Sequence, residues 1–233
     1  MTDTLHQLSG GRFNHIYLVQ RGENAVLIDT GNPGQADAMV RRLAERDVTP
    51  DNVRLILITH GHTDHFGNAA ALQRRLEAPV AVHAADADAL RRGIHPPDSL
   101  TPSHWLTRLL MRLPFDATAE SVPPLEPDLI FEEGWRLDDY GIDADVIPTP
   151  GHTRGAISVL LDTGEAIVGD LVAADPGTLF RRPGPPYVAW NLEQNWRSLR
   201  ALMDRRPHTL YTTHGGPFDA KAIDRLLAKR EVW

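Results

Sequence analysis

The run Thr59-His60-Gly61-His62-Thr63-Asp64-His65 places three imidazoles and a carboxylate within six residues, directly after the apolar run Leu55-Ile56-Leu57-Ile58. The spacing is H-x-H-x-D-H. Imidazole and carboxylate are nitrogen and oxygen donors suited to zinc, and also to iron or manganese. Neither core packing nor a solvated turn calls for so many ligand-type side chains at one point. On a strand, His60 and His62 would share a face, because the side-chain period is two. A helix opening at Asp64 would send Asp64 and His65 in different directions. One loop would then feed two adjacent metal sites.

Three further donors end or follow predicted strands: His152 in Pro148-Thr-Pro-Gly-His152-Thr, Asp170 after Ala166-Ile-Val-Gly169, and His214 after Leu210-Tyr-Thr-Thr213 and before two glycines. Open sheets place their sites at the carboxyl ends of strands. Together these are His60, His62, His65, His152, His214, Asp64 and Asp170, more than the three or four protein ligands of a single zinc site. The natural division is two sites sharing a carboxylate, each keeping open positions for water and substrate.

The elements that must position these residues alternate throughout the chain. Short apolar runs bounded by turn residues predict strands near His15–Gln20, Ala25–Asp29, Arg54–Thr59, Pro79–His83, Ala144–Ile147, Ala156–Leu161, Glu165–Gly169 and Thr209–Thr213. Helical periodicity predicts helices over Gln35–Asp47, Gly67–Glu77, Leu192–Asp204 and Asp219–Lys229, the last with Asp219 as N-cap. The two halves rhyme: Ala25-Val-Leu-Ile-Asp29 resembles Glu165-Ala-Ile-Val-Gly-Asp170, and Leu55-Ile-Leu-Ile-Thr-His60-Gly resembles Thr209-Leu-Tyr-Thr-Thr-His214-Gly. A Pro-rich stretch at about 93–127, with a helical pattern at Trp105–Met111, reads as an insertion or lid within a single domain spanning 1–233. A second loose segment, Asp175–Tyr187, ends in aromatics.

Composition removes several classes. There is no Cys, which excludes disulfides, thiolate metal sites, iron–sulfur clusters and a Cys nucleophile. The 24 Lys and Arg against 31 Asp and Glu leave a net charge of 24 − 31 = −7, a poor match to a phosphate backbone, so no nucleic-acid partner is expected. No apolar stretch nears the roughly 20 residues that span a bilayer, and Met1-Thr2-Asp3 opens no basic-then-apolar pattern. The expectation is a cytoplasmic protein without a membrane partner.

The chain resembles the metallo-β-lactamase-fold hydrolases. The family's H-x-H-x-D-H motif matches His60, His62, Asp64 and His65, and its later His, bridging Asp and last His match His152, Asp170 and His214. Its early strand-ending Asp matches Asp29. The resemblance implies an α/β fold, a four-layer αββα sandwich with two divalent metals at one edge. Site one would be His60, His62 and His152, and site two Asp64, His65 and His214. Asp170 would bridge them and Asp29 would steady a ligand. The style is closest to glyoxalase II-like thioesterases and lactonases, although the lactonases' Tyr shortly after the bridging Asp is absent, since Leu171-Val-Ala-Ala follows Asp170. What the resemblance implies is a metal-bridging hydroxide that attacks an ester, lactone or thioester of a small acyl substrate, with Asp64 shuttling a proton to the leaving group. The same fold also serves mononuclear iron sulfur dioxygenases and phosphodiesterases. His104, Trp105, Tyr187 and Trp190 are the candidate substrate contacts, and the segment carrying His104 and Trp105 could alternatively form a homodimer surface. On this reading His60→Ala abolishes both metal occupancy of site one and turnover, measured by elemental analysis alongside hydrolysis. Activity that survives with metal still bound there contradicts the assignment.

Overall fold

The computed structural model describes residues 2–8, 14–103, 105–110 and 121–230, with the backbone only at 105, 106 and 110. The first sheet orders six strands in sequence: β1 (Thr4–Gln7), β2 (Tyr17–Arg21), β3 (Asn24–Ile28), β4 (Val53–Leu57), β5 (Val80–His83) and β6 (Leu129–Phe131). β1, β2 and β3 pair antiparallel, then β3 to β6 run parallel. The second six-stranded sheet orders β7 (Trp135–Arg136), β8 (Ala144–Pro148), β9 (Ile157–Leu161), β10 (Glu165–Ile167), β11 (Thr209–Tyr211) and β12 (Phe218–Asp219), antiparallel except for the parallel β10–β11 pair.

Alternation along the strands sets the layers. Successive side chains point to opposite faces, so Leu18, Ala25, Leu27 and Ile56 bury outward against helices α1 (Ala36–Ala44) and α3 (Ala69–Leu76), through Met39, Leu43, Leu72 and Leu76. Tyr17, Val19, Val26, Ile28, Leu55 and Leu57 bury inward, against Val146, Ile157, Val159 and Ile167 of the second sheet. On the far side, Ala166, Val168 and Leu210 meet Trp196, Leu199, Leu202, Ile223 and Leu227 of two further helices, Leu192–Asp204 and Ala220–Arg230. The order is helix, sheet, sheet, helix. The two sheets are therefore sandwiched between outer layers of helices, and three apolar clusters result from one rule.

The predicted rhyme between the halves is a shared topology. In the first half, the hairpin β2–β3 leads through α1 into β4, parallel to β3. In the second, β9–β10 leads through Leu192–Asp204 into β11, parallel to β10. The residue after each hairpin donates to the end of the parallel neighbour: Asp29 N to Leu57 O at 3.0 Å, and Val168 N to Tyr211 O at 2.9 Å. Asp219 Oδ1 accepts from Ala222 N at 2.9 Å, as its predicted N-cap role requires.

Three features differ from expectation. The strand preceding the histidine motif stops at Leu57, so His60 and His62 lie in a turn, and His62 is the residue before a separate short helix α2 (Thr63–Phe66). Edge strands β1, β6 and β7 carry no strong apolar alternation, and tertiary pairing alone makes them strands. Helix α4 (Ala87–Arg92), also unforeseen, packs Ala87, Ala89 and Leu90 into the outer cluster. In the Pro-rich segment, a short helix spans Trp105–Leu110, while Val122 and Leu125 return to the outer cluster, with Val122 N donating to Gly93 O at 2.9 Å. His104 and Met111 lie outside the described residues. No described helix is long and apolar enough to cross a membrane. Leu27 is fully buried in the outer cluster, so Leu27→Ala is expected to cost about 2–5 kcal/mol, read as a lowered midpoint in urea denaturation.

Candidate metal centre

Five strands deliver the site. His60 follows β4, His152 follows β8, Asp170 follows β10, His214 follows β11 and Asp29 follows β3, all at carboxyl ends along one edge of the two sheets. The donor atoms of three overlapping groups converge within 4.8 Å: His60, His62 and His152; His60, His65 and Asp170; and Asp64, His65 and His214. His152 Nε2 stands 3.0 Å from His60 Nε2 and 2.9 Å from His62 Nδ1. Nitrogen ligands at about 2.0–2.1 Å around a tetrahedral ion would be about 3.3 Å apart, so this spacing suits a shared divalent cation. Asp170 lies between the groups. Its Oδ2 is 3.6 Å from His152 Nε2 and 3.1 Å from His214 Nε2, and its Oδ1 is 3.6 Å from His65 Nε2. Asp64 Oδ2 lies 3.3 Å from His214 Nε2 and 3.9 Å from His65 Nε2.

The other nitrogen of four of these rings is committed outward. His60 Nδ1 lies 3.1 Å from Thr59 Oγ1, His65 Nδ1 2.7 Å from Asp29 Oδ2, His62 Nε2 2.7 Å from Ser99 Oγ, and His152 Nδ1 2.8 Å from Val188 O. Thr59 Oγ1 in turn donates to Asp29 Oδ2 and Ser99 Oγ to Pro96 O, so both hydroxyls accept from the rings. This selects, in each ring, the inward nitrogen as the ligand atom. Two inward atoms, His65 Nε2 and Asp170 Oδ1, are buried with no hydrogen-bond partner among the described residues. Buried polar atoms are seldom left so, and a cation between them answers the deficit.

Electrostatics divides the cluster in two. Burial, reinforced by neighbouring imidazoles, holds His60 and His62 well below the usual histidine range, and burial lowers His152 against the opposing pull of Asp170. These rings are neutral donors. For His65, burial pulls the same way, but Asp29, Asp64 and Asp170 outweigh it and push the pKa up to about 10. Asp170 and Asp64 likewise overcome burial to raise His214 well above its usual value. The corresponding carboxylates are held below the usual range by His214 and His65, despite their own burial. The second half is therefore a pocket whose carboxylates favour positive charge.

Asp29 is itself held under strain. It is 2 % exposed and has φ of 63°, a left-handed conformation that Asp tolerates better than most residues. Thr59 N, Thr59 Oγ1 and His65 Nδ1 converge on its carboxylate at 2.7–2.8 Å. Asn68 supports the loop after it, donating from Nδ2 to Thr30 O and Asn32 O, both at 2.6 Å.

Several supporting residues escaped the sequence reading. Asp86, 1 % exposed, accepts from Gly61 N at 2.8 Å, Thr153 Oγ1 at 2.6 Å and Gly155 N at 3.0 Å, joining the H-x-H-x-D-H loop to the His152 turn. Gly155 is required there, since a Cβ would lie 2.7 Å from Asp86 Cγ. Ser99 and Thr59 were missed for the same reason as Asp86: one polar side chain carries no periodic signal. Of the predicted substrate contacts, Tyr187 stacks on His214 with ring centroids 5.7 Å apart, its hydroxyl donating to Ala174 O at 2.9 Å. Trp190 donates its backbone N to His152 O at 2.8 Å, and its ring lies under Arg154 with Cζ 4.4 Å from the centroid. Trp105 is described in backbone only, and His104 lies outside the described residues. His83, at the end of β5, lies 2.9 Å from Glu132 O through Nε2 and accepts from Ala85 N, and it is in none of the three donor groups.

A two-sheet sandwich with seven histidine and aspartate donors at the strand ends is the framework of a metal-dependent hydrolase. Residues 9–214 match the Metallo-beta-lactamase superfamily, and the chain belongs to that family. It is 28% identical over 228 residues to a probable metallo-hydrolase, YflN, of Bacillus subtilis (89% of this chain, 82% of the relative). It is 34% identical over 196 residues to a hydroxyacylglutathione hydrolase of Cereibacter sphaeroides, with 81% of this chain aligned to 58% of that enzyme's length. The fold is also similar to a metallo-beta-lactamase family protein of Thermus thermophilus, with a TM-score of 0.70 and 25% identity, covering 98% of this chain and 79% of that one.

Removing the Asp86 carboxylate leaves two buried N–H groups and a hydroxyl unmet. Asp86→Ala is expected to lose about 2–4 kcal/mol of stability by urea denaturation. An unchanged midpoint would show that this carboxylate does not tie the two ligand loops together.

Proposed function

We propose that the protein is a dinuclear metal-dependent hydrolase, with zinc as the first choice of metal and iron or manganese as alternatives, acting on a small ester, lactone or thioester. The observation that carries this reading is the position of Asp170, whose two oxygens reach both histidine groups. A site for one ion would not call for the further group of Asp64, His65 and His214 beside the first. Relatives support carbonyl chemistry on thioesters: besides the hydroxyacylglutathione hydrolase, an acyl-coenzyme A thioesterase of Bos taurus is 32% identical over 160 residues, 64% of this chain and 54% of that enzyme.

Two ions bound there would supply an acidified water and a Lewis acid for the carbonyl oxygen. The chain's own residues do the rest. Thr59, Ser99, Asp29 and the Val188 carbonyl keep the rings aimed inward. Asp64, about a quarter exposed beside the partly exposed His214 while His65 is fully buried, would pass a proton to the departing oxygen or sulfur. No Ser, Cys or Thr nucleophile is needed. Tyr187 beside His214 and Trp190 beside His152 would line the approach, and the substrate-contact roles of His104 and Trp105 rest on the sequence alone.

Loading is expected to release protons unequally. His65, with a pKa near 10, and His214, raised well above its usual value, are protonated in the metal-free protein at pH 7.5 and must lose that proton to ligate. His60, His62 and His152 are already neutral. Calorimetric titration with zinc in buffers of different ionisation enthalpy should show proton release concentrated in one of the two binding events and little in the other. Equal release in both would contradict the electrostatic division of the two groups.

The deciding experiment is elemental analysis of protein purified without added metal, together with a panel of thioesters, lactones, phosphodiesters and a chromogenic β-lactam. About two zinc ions per chain with carbonyl hydrolysis are expected. One iron per chain with oxygen uptake on a persulfide would overturn the reading.

A further inference from the structure

On the face bounded by the last helix, Ala220–Arg230, and the loop after the site, there is a cavity of about 610 Å³ that the chemistry above does not use. Arg225 and Lys229, one helical turn apart, line one wall, and Arg181 and Arg182 line the other. In a chain of net charge −7, this gathers four exposed cations against a single lining carboxylate, Asp219, which is occupied in capping the helix. None of the four cations forms an ion pair with a described residue. Like charges held together unpaired repel one another, and an anionic ligand removes that cost.

The walls are held in place. The helix packs against Pro183–Gly184, and the loop carrying the arginines is closed by Asp175 N donating to Arg182 O at 2.8 Å. The cavity also adjoins the metal centre. Pro217, in its lining, is three residues beyond His214, which limits the Cα separation to about 10 Å. On the other wall, Pro183 pairs with Ala174, whose N donates to His214 O at 2.7 Å.

We propose that this cavity is the subsite for phosphate groups on the thiol portion of the substrate. The proposal rests on the thioester form of the function above. Guanidinium groups present paired donors that match phosphate oxygens, and three arginines with a lysine would meet more negative charge than a lone carboxylate offers. The substrate class that follows is an acyl thioester of a phosphorylated carrier. Its carbonyl would lie at the histidine cluster and its phosphates over the last helix.

The test separates this subsite from the reaction. Adenosine 3′,5′-bisphosphate, which carries phosphates but no acyl group, is titrated into the metal-loaded protein and into Arg182→Glu and Arg225→Glu. The wild type is expected to bind it, each variant about tenfold or more weakly, with affinity falling as salt rises. In parallel, kcat/KM is measured for an acyl-coenzyme A and for the same acyl group on N-acetylcysteamine. The variants' loss on the phosphorylated thioester should exceed their loss on the other by about tenfold, chiefly through KM. Absence of bisphosphate binding by the wild type, equal binding by the variants, or tighter binding of glutathione than of the bisphosphate would overturn the phosphate subsite. If neither thioester is hydrolysed, the thioester reading fails, and the bisphosphate titration still decides the cavity.

Discussion

Asp29 is the point on which the arrangement of the site depends. Its carboxylate takes the Thr59 amide, the Thr59 hydroxyl and the His65 ring together, and Thr59 passes the constraint to His60. One buried anion thus orients ligands of both histidine groups. The left-handed backbone at Asp29 costs free energy, and it persists because the surrounding hydrogen bonds define that conformation and no other. Everything placed later in the chain, from the His152 turn to the β11 end carrying His214, meets a cluster whose first members are already aimed.

Burial gives the cluster its character. In water, five imidazoles and two carboxylates would be solvated separately. Here the sandwich removes the water and leaves neutral rings on one side and carboxylate–imidazole pairs on the other. The same desolvation that makes His60 a poor base makes it a ready ligand, because burial disfavours the proton that would otherwise occupy its inward lone pair. Asp170 belongs to both halves, so the division is electrostatic and the cluster remains continuous.

The fold supports this through repetition of one device. In each half, a hairpin strand leads through a helix to a parallel neighbour, and each such pair ends in ligand-bearing turns, Asp29 with His60 and Asp170 with His214. Packing the two sheets face to face brings these turns to a common edge, which a single half-domain does not do. Beside this edge, the loop from Ala174 to Tyr187 and the last helix line a cavity with Arg181, Arg182, Arg225 and Lys229, a local charge opposite to the overall acidity of the chain.

The metal-binding residue types were legible in the sequence because their spacing is local: H-x-H-x-D-H lies within six residues, and His152, Asp170 and His214 each follow a readable apolar run. The layered fold was legible for the same reason, since strands such as Ala25–Ile28 and helices such as Leu192–Asp204 carry their periodicity in short windows. What the tertiary structure alone decided were the pairings across long separations. Asp86 joins Gly61 to Gly155, Ser99 turns the His62 ring, and Arg181 and Arg182 face Arg225 and Lys229. The physical reason is that a ligand's identity is a property of one residue and its neighbours in the chain. Its orientation, protonation and access depend on groups brought near only when two sheets and their helices close around a common core.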